Sequence, residues 1–135
     1  MADTTAARRG KAPTPKGWTA AEITAVRDDL EAQLTQLRAD YRATMVAIDE
    51  LQSQSDTAGE DMADAGSRTF EREHEMSLAN NRRDLIDQLD HALARVQAGE
   101  YGKCESCGEP IAKARLQAFP GATLCVTCKQ RAERR

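Results

Sequence analysis

Apolar residues recur at positions 23, 26, 30, 34, 37, 41, 45, 48 and 51, in steps of three and four. That spacing marks one face of an α-helix. Ile23, Leu34 and Met45 are eleven apart, as are Val26, Leu37 and Ile48, and Leu30 and Tyr41. An eleven-residue repeat follows about 3.67 residues per turn and predicts a nearly straight or slightly right-handed seam. The start is explicit. Thr19-Ala-Ala-Glu22 has the form of a capping box, and Trp18 and Ile23 occupy the two hydrophobic-staple positions around it. A helix over Thr19–Ser53 would measure roughly 50 Å.

The stripe is lost over 53–67, which hold Gly59 and Gly66 and four acids, Asp56, Glu60, Asp61 and Asp64. This stretch predicts a turn. A second periodic segment over 67–98 places Leu78, Leu85, Leu89, Leu93 and Val96 on one face, with Ile86 beside it. Gly99 stands where a left-handed C-terminal cap is expected. Two helices of matched length, each with one apolar seam, predict an antiparallel helical hairpin. The seam residues are read as core. His74 and His91, lone histidines on charged faces, are read as solvated.

Composition agrees with long, solvated helices. Of the 135 residues 30% are charged, and only Trp18, Tyr41, Phe70, Tyr101 and Phe119 are aromatic. Residues 1–17 read as a disordered basic tail, with Arg8, Arg9, Lys11 and Lys16 against Asp3 among scattered Gly and Pro. The net charge of -3 argues against a nucleic-acid binder for the chain as a whole. No apolar run reaches the roughly 18 residues of a membrane span. No secretory signal precedes the four cysteines, which predicts a reducing, cytoplasmic setting where thiols bind metal.

The chemistry lies in the C-terminal third. Cys104-Glu-Ser-Cys107-Gly is followed, after 17 residues, by Cys125-Val-Thr-Cys128. Each two-residue spacer lets a pair of sulfurs converge on one ion, and Gly108 suits the tight turn this needs. Four sulfur ligands close the coordination sphere, so the expected cofactor is one structural Zn²⁺ per chain rather than a catalytic metal. Ile111, Leu116, Phe119, Leu124 and Val126 are few for an independent core, and structural zinc supplies on the order of 10 kcal/mol. The expected organisation is a tail over 1–17, a hairpin over 18–99 with its tip near 54–66, and a zinc-finger module over 100–135 ending in a short helix.

The string Tyr101-Gly-x-Cys104-x-x-Cys107-Gly, with Ile111, Arg115-Leu116-x-Ala118-x-Pro120, Cys125-x-x-Cys128-Lys129 and the preceding Ala92-Leu93-x-Arg95-Val96-x-x-Gly99, resembles the DksA/TraR family. The resemblance covers roughly 60–135. It implies a non-enzymatic transcription regulator that binds bacterial RNA polymerase, its hairpin entering the secondary channel with an acidic tip near the active site. The family's tip pattern Asp-x-x-Asp-x-Ala falls on Asp61-Met-Ala-Asp64-Ala-Gly66, with Gly66 in place of the alanine. Basic positions that contact the alarmone ppGpp in responsive members fall on Gln88, Phe119 and Lys129, of which only Lys129 is basic. The expectation is therefore a monomer with weak or no ppGpp enhancement. The competing readings are a zinc-ribbon nucleic-acid binder and a non-regulatory structural hairpin. The first leans on Lys129, Arg131, Arg134 and Arg135 and on the basic arm. Glu105, Glu109 and the scarcity of stacking aromatics argue against direct DNA binding.

Overall fold

A computed structural model of the protein describes residues 14–56 and 62–134. The fold is mainly helical, with two long helices, α1 (Ala20–Asp56) and α2 (Met62–Ala98), and two short ones, α3 (Lys113–Ala118) and α4 (Val126–Glu133). No helix among the described residues is long and apolar enough to cross a membrane. Both long helices run further into the stripe-free stretch than its composition suggests: α1 continues to Asp56 and α2 already begins at Met62. Asp64 lies in the first turn of α2, where a carboxylate complements the helix dipole and favours this early start. Gly66 is thus a helical residue.

The helix ends follow their sequence signals. The Thr19 amide donates to Glu22 Oε1 at 2.9 Å, and the Glu22 amide donates to Thr19 Oγ1 at 3.1 Å. The expected capping box is therefore formed. α2 closes in a Schellman motif. Gly99 sits at φ 77°, its amide donates to Val96 O at 3.1 Å, and the Glu100 amide donates to Arg95 O at 2.9 Å.

The chain divides into two compact units. The first comprises residues up to Ala32 together with Gln88 onward, and the second comprises Gln33–Asp87. In the second unit α1 and α2 pair antiparallel, with contacts that move in opposite directions along the chain. Arg68 Nη1 donates to Gln54 O at 2.8 Å, Arg72 Nη1 donates to Gln52 Oε1 at 2.6 Å, and Arg82 Nη1 donates to Thr44 Oγ1.

The seam here departs from the eleven-residue expectation. Thr44 is buried, 4% exposed, while Met45 is 38% exposed. Covered positions on α1 therefore run 34, 37, 41, 44, 48 and 51, and on α2 they include 68, 72, 75, 79, 82 and 86. This alternation of three and four is the heptad spacing of a left-handed coiled coil. Thr44 is tolerated inside because its hydroxyl donates to Asp40 O at 2.9 Å and accepts from Arg82. The two faces are unlike. α1 offers Leu34, Leu37, Tyr41, Ile48 and Leu51, whereas α2 offers Arg68, Arg72, Glu75 and Arg82 and becomes apolar only from Leu78 onward, with Ala79, Leu85 and Ile86. Long charged side chains cover apolar surface with their stems and carry their heads to polar partners. This is why the apolar pattern of α2 fades before Leu78.

The first unit holds most of the core. Ile23 and Leu30 of α1, Leu89, Ala92 and Val96 of α2, and Tyr101, Ile111, Leu116 and Ala122 are buried. Full burial of a leucine such as Leu116 contributes about 2 kcal/mol. A Cβ on Gly121 would lie 2.6 Å from Leu89 Cδ2, so only glycine permits this approach to α2.

Candidate functional site: a four-cysteine metal centre

Two knuckles deliver the cysteines. In the first, the Cys104 amide donates to Glu109 O at 2.8 Å, the Gly108 amide donates to Cys104 O at 3.0 Å, and the Ile111 amide donates to Gly102 O at 2.7 Å. Gly102 and Gly108 take φ 89° and 79°, the left-handed conformation that lets the chain reverse within so few residues. In the second, Cys125 is the N-cap of α4 and Cys128 lies in its first turn. The helix places the two sulfurs on one side, and the Lys129 amide donates to Cys125 O at 2.9 Å.

The four Sγ atoms lie within 4.8 Å of one another, and Cys107 Sγ and Cys125 Sγ are 3.8 Å apart. Sulfurs about 2.3 Å from a tetrahedral metal are separated by about 3.8 Å, so the cluster fits zinc. All four cysteines are free of disulfides. Cys104 and Cys128 are buried, Cys125 half-buried and Cys107 exposed. Burial would raise the Cys104 thiol, but hydrogen bonding to its sulfur from the backbone of Cys107, Cys125 and Ser106 brings it down to about 6. The neighbouring Cys125 sulfur, as a hydrogen-bond partner, pushes Cys128 up to about 12. Sulfurs this close cannot all be anionic without a cation between them, and a soft divalent ion relieves that conflict.

Several side chains hold the knuckles in place. Arg95 of α2 donates to Lys103 O at 2.7 Å and to Glu100 O at 3.3 Å. His91 Nε2 lies 2.5 Å from Glu105 Oε2, and Thr123 Oγ1 donates to Glu105 Oε1 at 2.9 Å. Burial raises the Glu105 carboxyl, but the bonds from His91 and Thr123 outweigh it and hold it below the usual carboxylate range. His91 is exposed as expected, yet it is engaged with the finger rather than merely solvated.

Tyr101 is buried and donates to Pro120 O at 2.9 Å, and burial pushes its phenol up to about 12. Trp18 packs edge-on against Tyr101 with ring centroids 5.5 Å apart, rather than serving only the helix start. Lys113 pins this segment three ways. Its Nζ lies 2.5 Å from Glu22 Oε2, donates to Gly17 O at 3.3 Å, and sits 5.0 Å from the Trp18 ring centroid. The last residues of the stretch read as a tail thus pack on the finger. Sequence reasoning missed Trp18, His91, Arg95 and Lys113 as positioning residues. His91 and Arg95, four apart and therefore on one helical face, were the available signal.

Asp61 lies outside the described residues. Asp64 and Gly66 are exposed in the first turns of α2. At the positions tied to ppGpp, Gln88 Nε2 donates to Gly121 O at 3.4 Å and Phe119 is 40% exposed.

Fold and site together define a helical-hairpin protein with a four-cysteine zinc-binding site. Residues 99–134 match the family described as "Prokaryotic dksA/traR C4-type zinc finger". The chain is 40% identical over 94 residues to the "RNA polymerase-binding transcription factor DksA" of Caulobacter vibrioides, covering 70% of this chain and 66% of that one. It therefore spans just under two thirds of that relative's length. Against the Escherichia coli protein of the same name it is 34% identical over 114 residues, covering 84% and 72%. The solved structure of transcription factor DksA2 from Pseudomonas aeruginosa matches with a TM-score of 0.70 at 34% identity, covering 84% of each chain. The chain belongs to the DksA/TraR family.

Proposed function

We propose that this protein is an RNA polymerase-binding transcription regulator. Its hairpin enters the secondary channel, and Asp61 and Asp64 approach the active site. The observation that carries this reading is the 34% identity, over 84% of this chain, to a relative named for polymerase binding. In this reading the finger holds one structural zinc ion per chain through Cys104, Cys107, Cys125 and Cys128, and no chemistry is catalysed. The zinc's part is to cross-link the two knuckles. Arg95 and His91 then hold the first knuckle on α2, and Lys113 holds the start of α1. The protein acts as a cytoplasmic monomer.

Regulation falls to the acids of the tip, because a carboxylate near a catalytic Mg²⁺ biases its ligands. Gln88 and Phe119 offer no positive charge to a polyanion, so ppGpp enhances the effect weakly or not at all. The test is Asp61→Asn with Asp64→Asn, read by affinity for core RNA polymerase and by open-complex lifetime at a sensitive promoter. Retained affinity with lost regulation is expected. Full activity of the double variant would make the acids a solvated turn, and lost affinity would make the tip an anchor. Strong ppGpp synergy in purified transcription would refute the second expectation.

A further inference from the structure

Within the first unit, the turn that precedes α1 and the first knuckle enclose a cavity of about 290 Å³. That volume is at the lower end for small-molecule sites, which start near about 300 Å³. Pro15 and Lys16 line it from the turn, and Glu100, Gly102, Lys103 and Pro110 line it from the finger. Both sides are fixed in place. The Trp18 amide donates to Pro15 O at 3.1 Å, and Gly17 at φ 87° takes the left-handed third position of a type II turn, which sets Lys16 at the corner. Lys113 pins this turn to the finger through Gly17 O and the Trp18 ring. Lys103 lies against Gly108, its Cε 3.7 Å from where a Cβ would stand. Proline rings and bare glycine backbone make the lining mainly apolar.

The charge on this lining is positive. Lys16 and Lys103 have no ion-pair partner among the described residues. Glu100 is the one acid among the lining residues, and its Oε2 lies 3.5 Å from Arg95 Nη1. Glu109, next to Pro110, is exposed and is not part of the lining. The two ammonium charges are therefore left uncompensated. A lysine is a compact point charge rather than a planar fork, so it accepts a phosphate from many directions. A phosphomonoester carries a charge of about -1.5 to -2 at neutral pH and matches two lysines, whereas a carboxylate brings only one charge. The apolar lining asks for more than a bare ion, because only an organic body gains from covering it.

We propose that this cavity binds a small organic phosphate, a phosphomonoester whose dianion sits between Lys16 and Lys103 and whose compact apolar body covers Pro15, Gly102 and Pro110. Gln88, Phe119 and Lys129 are not among the lining residues, so the site is separate from the positions tied to ppGpp. It stands independently of the polymerase reading above.

The experiment titrates the full chain with phenyl phosphate at low salt. Amide chemical shifts and the emission of Trp18, whose ring lies against Gly102, report binding, with circular dichroism as a fold check on each variant. Saturable shifts at Gly102, Lys103 and Gly108 are expected, with a dissociation constant on the order of 1 mM for a ligand this small. Lys16→Gln and Lys103→Gln should each weaken binding at least about threefold, as loss of a charged hydrogen-bond partner does. Lys129→Gln, which removes an exposed cation outside the cavity, should change it by less than about twofold. Inorganic phosphate, which has no body to cover the lining, and benzoate, which has one negative charge, should each bind at least about fivefold more weakly. No saturable binding of phenyl phosphate would overturn the proposal. Equal binding of inorganic phosphate would mean an adventitious ion only, and equal binding of benzoate would mean that the charge match is wrong; either result sinks it. So would an equal loss from Lys129→Gln, because any basic surface would then serve, or full binding by the Lys16 and Lys103 variants, because the ligand would then lie elsewhere.

Discussion

Gly66→Ala isolates the one position where this chain departs from the family's tip pattern. Gly66 is the fifth residue of α2, has no left-handed φ, and has open space where a Cβ would stand. Alanine therefore introduces no strain and no clash. Alanine is favoured over glycine inside a helix by about 1 kcal/mol, mostly because glycine has more freedom to lose from the unfolded chain. The position lies near a helix end, so the gain falls first on local opening of α2. A gain of 1 kcal/mol corresponds to about fivefold slower amide exchange over the following turn. If the whole chain melts as one, it raises the midpoint by roughly 3 °C. The control is Gly102→Ala. There φ is 89° and the new Cβ would stand 2.9 Å from Trp18 Nε1, so a loss of about 1–2 kcal/mol is expected from the backbone alone. Hydrogen exchange by mass spectrometry and thermal melting read both variants. Unchanged or faster exchange around residue 66 in Gly66→Ala would refute the helical assignment of this glycine. A neutral Gly102→Ala would refute the left-handed backbone conformation at Gly102.

Zinc chelation, or Cys107→Ser, should unfold the finger and change the emission of Trp18, the single tryptophan, because Tyr101 and Lys113 that hold it belong to that module. Far-ultraviolet circular dichroism from the second unit should persist, and an unmoved Trp18 spectrum would refute the coupling. Tyr101→Phe removes the donor to Pro120 O and should cost about 1 kcal/mol in denaturant unfolding, through the part-buried carbonyl that loses its partner. The hydrogen bond from Lys113, then that from the Thr19 amide, lowers the Glu22 carboxyl in the folded state. Its contribution is therefore complete above the unfolded carboxyl value and is lost as pH falls through the lowered folded one. Glu22→Gln should be less stable than the parent at neutral pH, with the difference vanishing in acid; a constant difference across pH would refute the ion pair.

Local signals determined much of this protein. The capping box at Thr19 and Glu22, the left-handed glycines at 99 and 108, and the paired Cys-x-x-Cys units are each completed within a few residues, so their chemistry is legible in order along the chain. The helical hairpin was likewise legible, because two long amphipathic segments joined by a short acidic stretch have few other ways to bury their faces. Tertiary structure decided the rest. Thr44 rather than Met45 enters the seam because a partner, Arg82, arrives from the other helix to satisfy its hydroxyl, and the spacing becomes a heptad. Arg68 and Arg72 lie along α1 because acceptors at Gln54 and Gln52 stand across the pair. Trp18, His91, Arg95 and Lys113 join the finger to both long helices through contacts spanning up to 96 positions of sequence. No periodicity or spacing encodes a partner that far away; only folding brings the donor, the acceptor and the ring to one place.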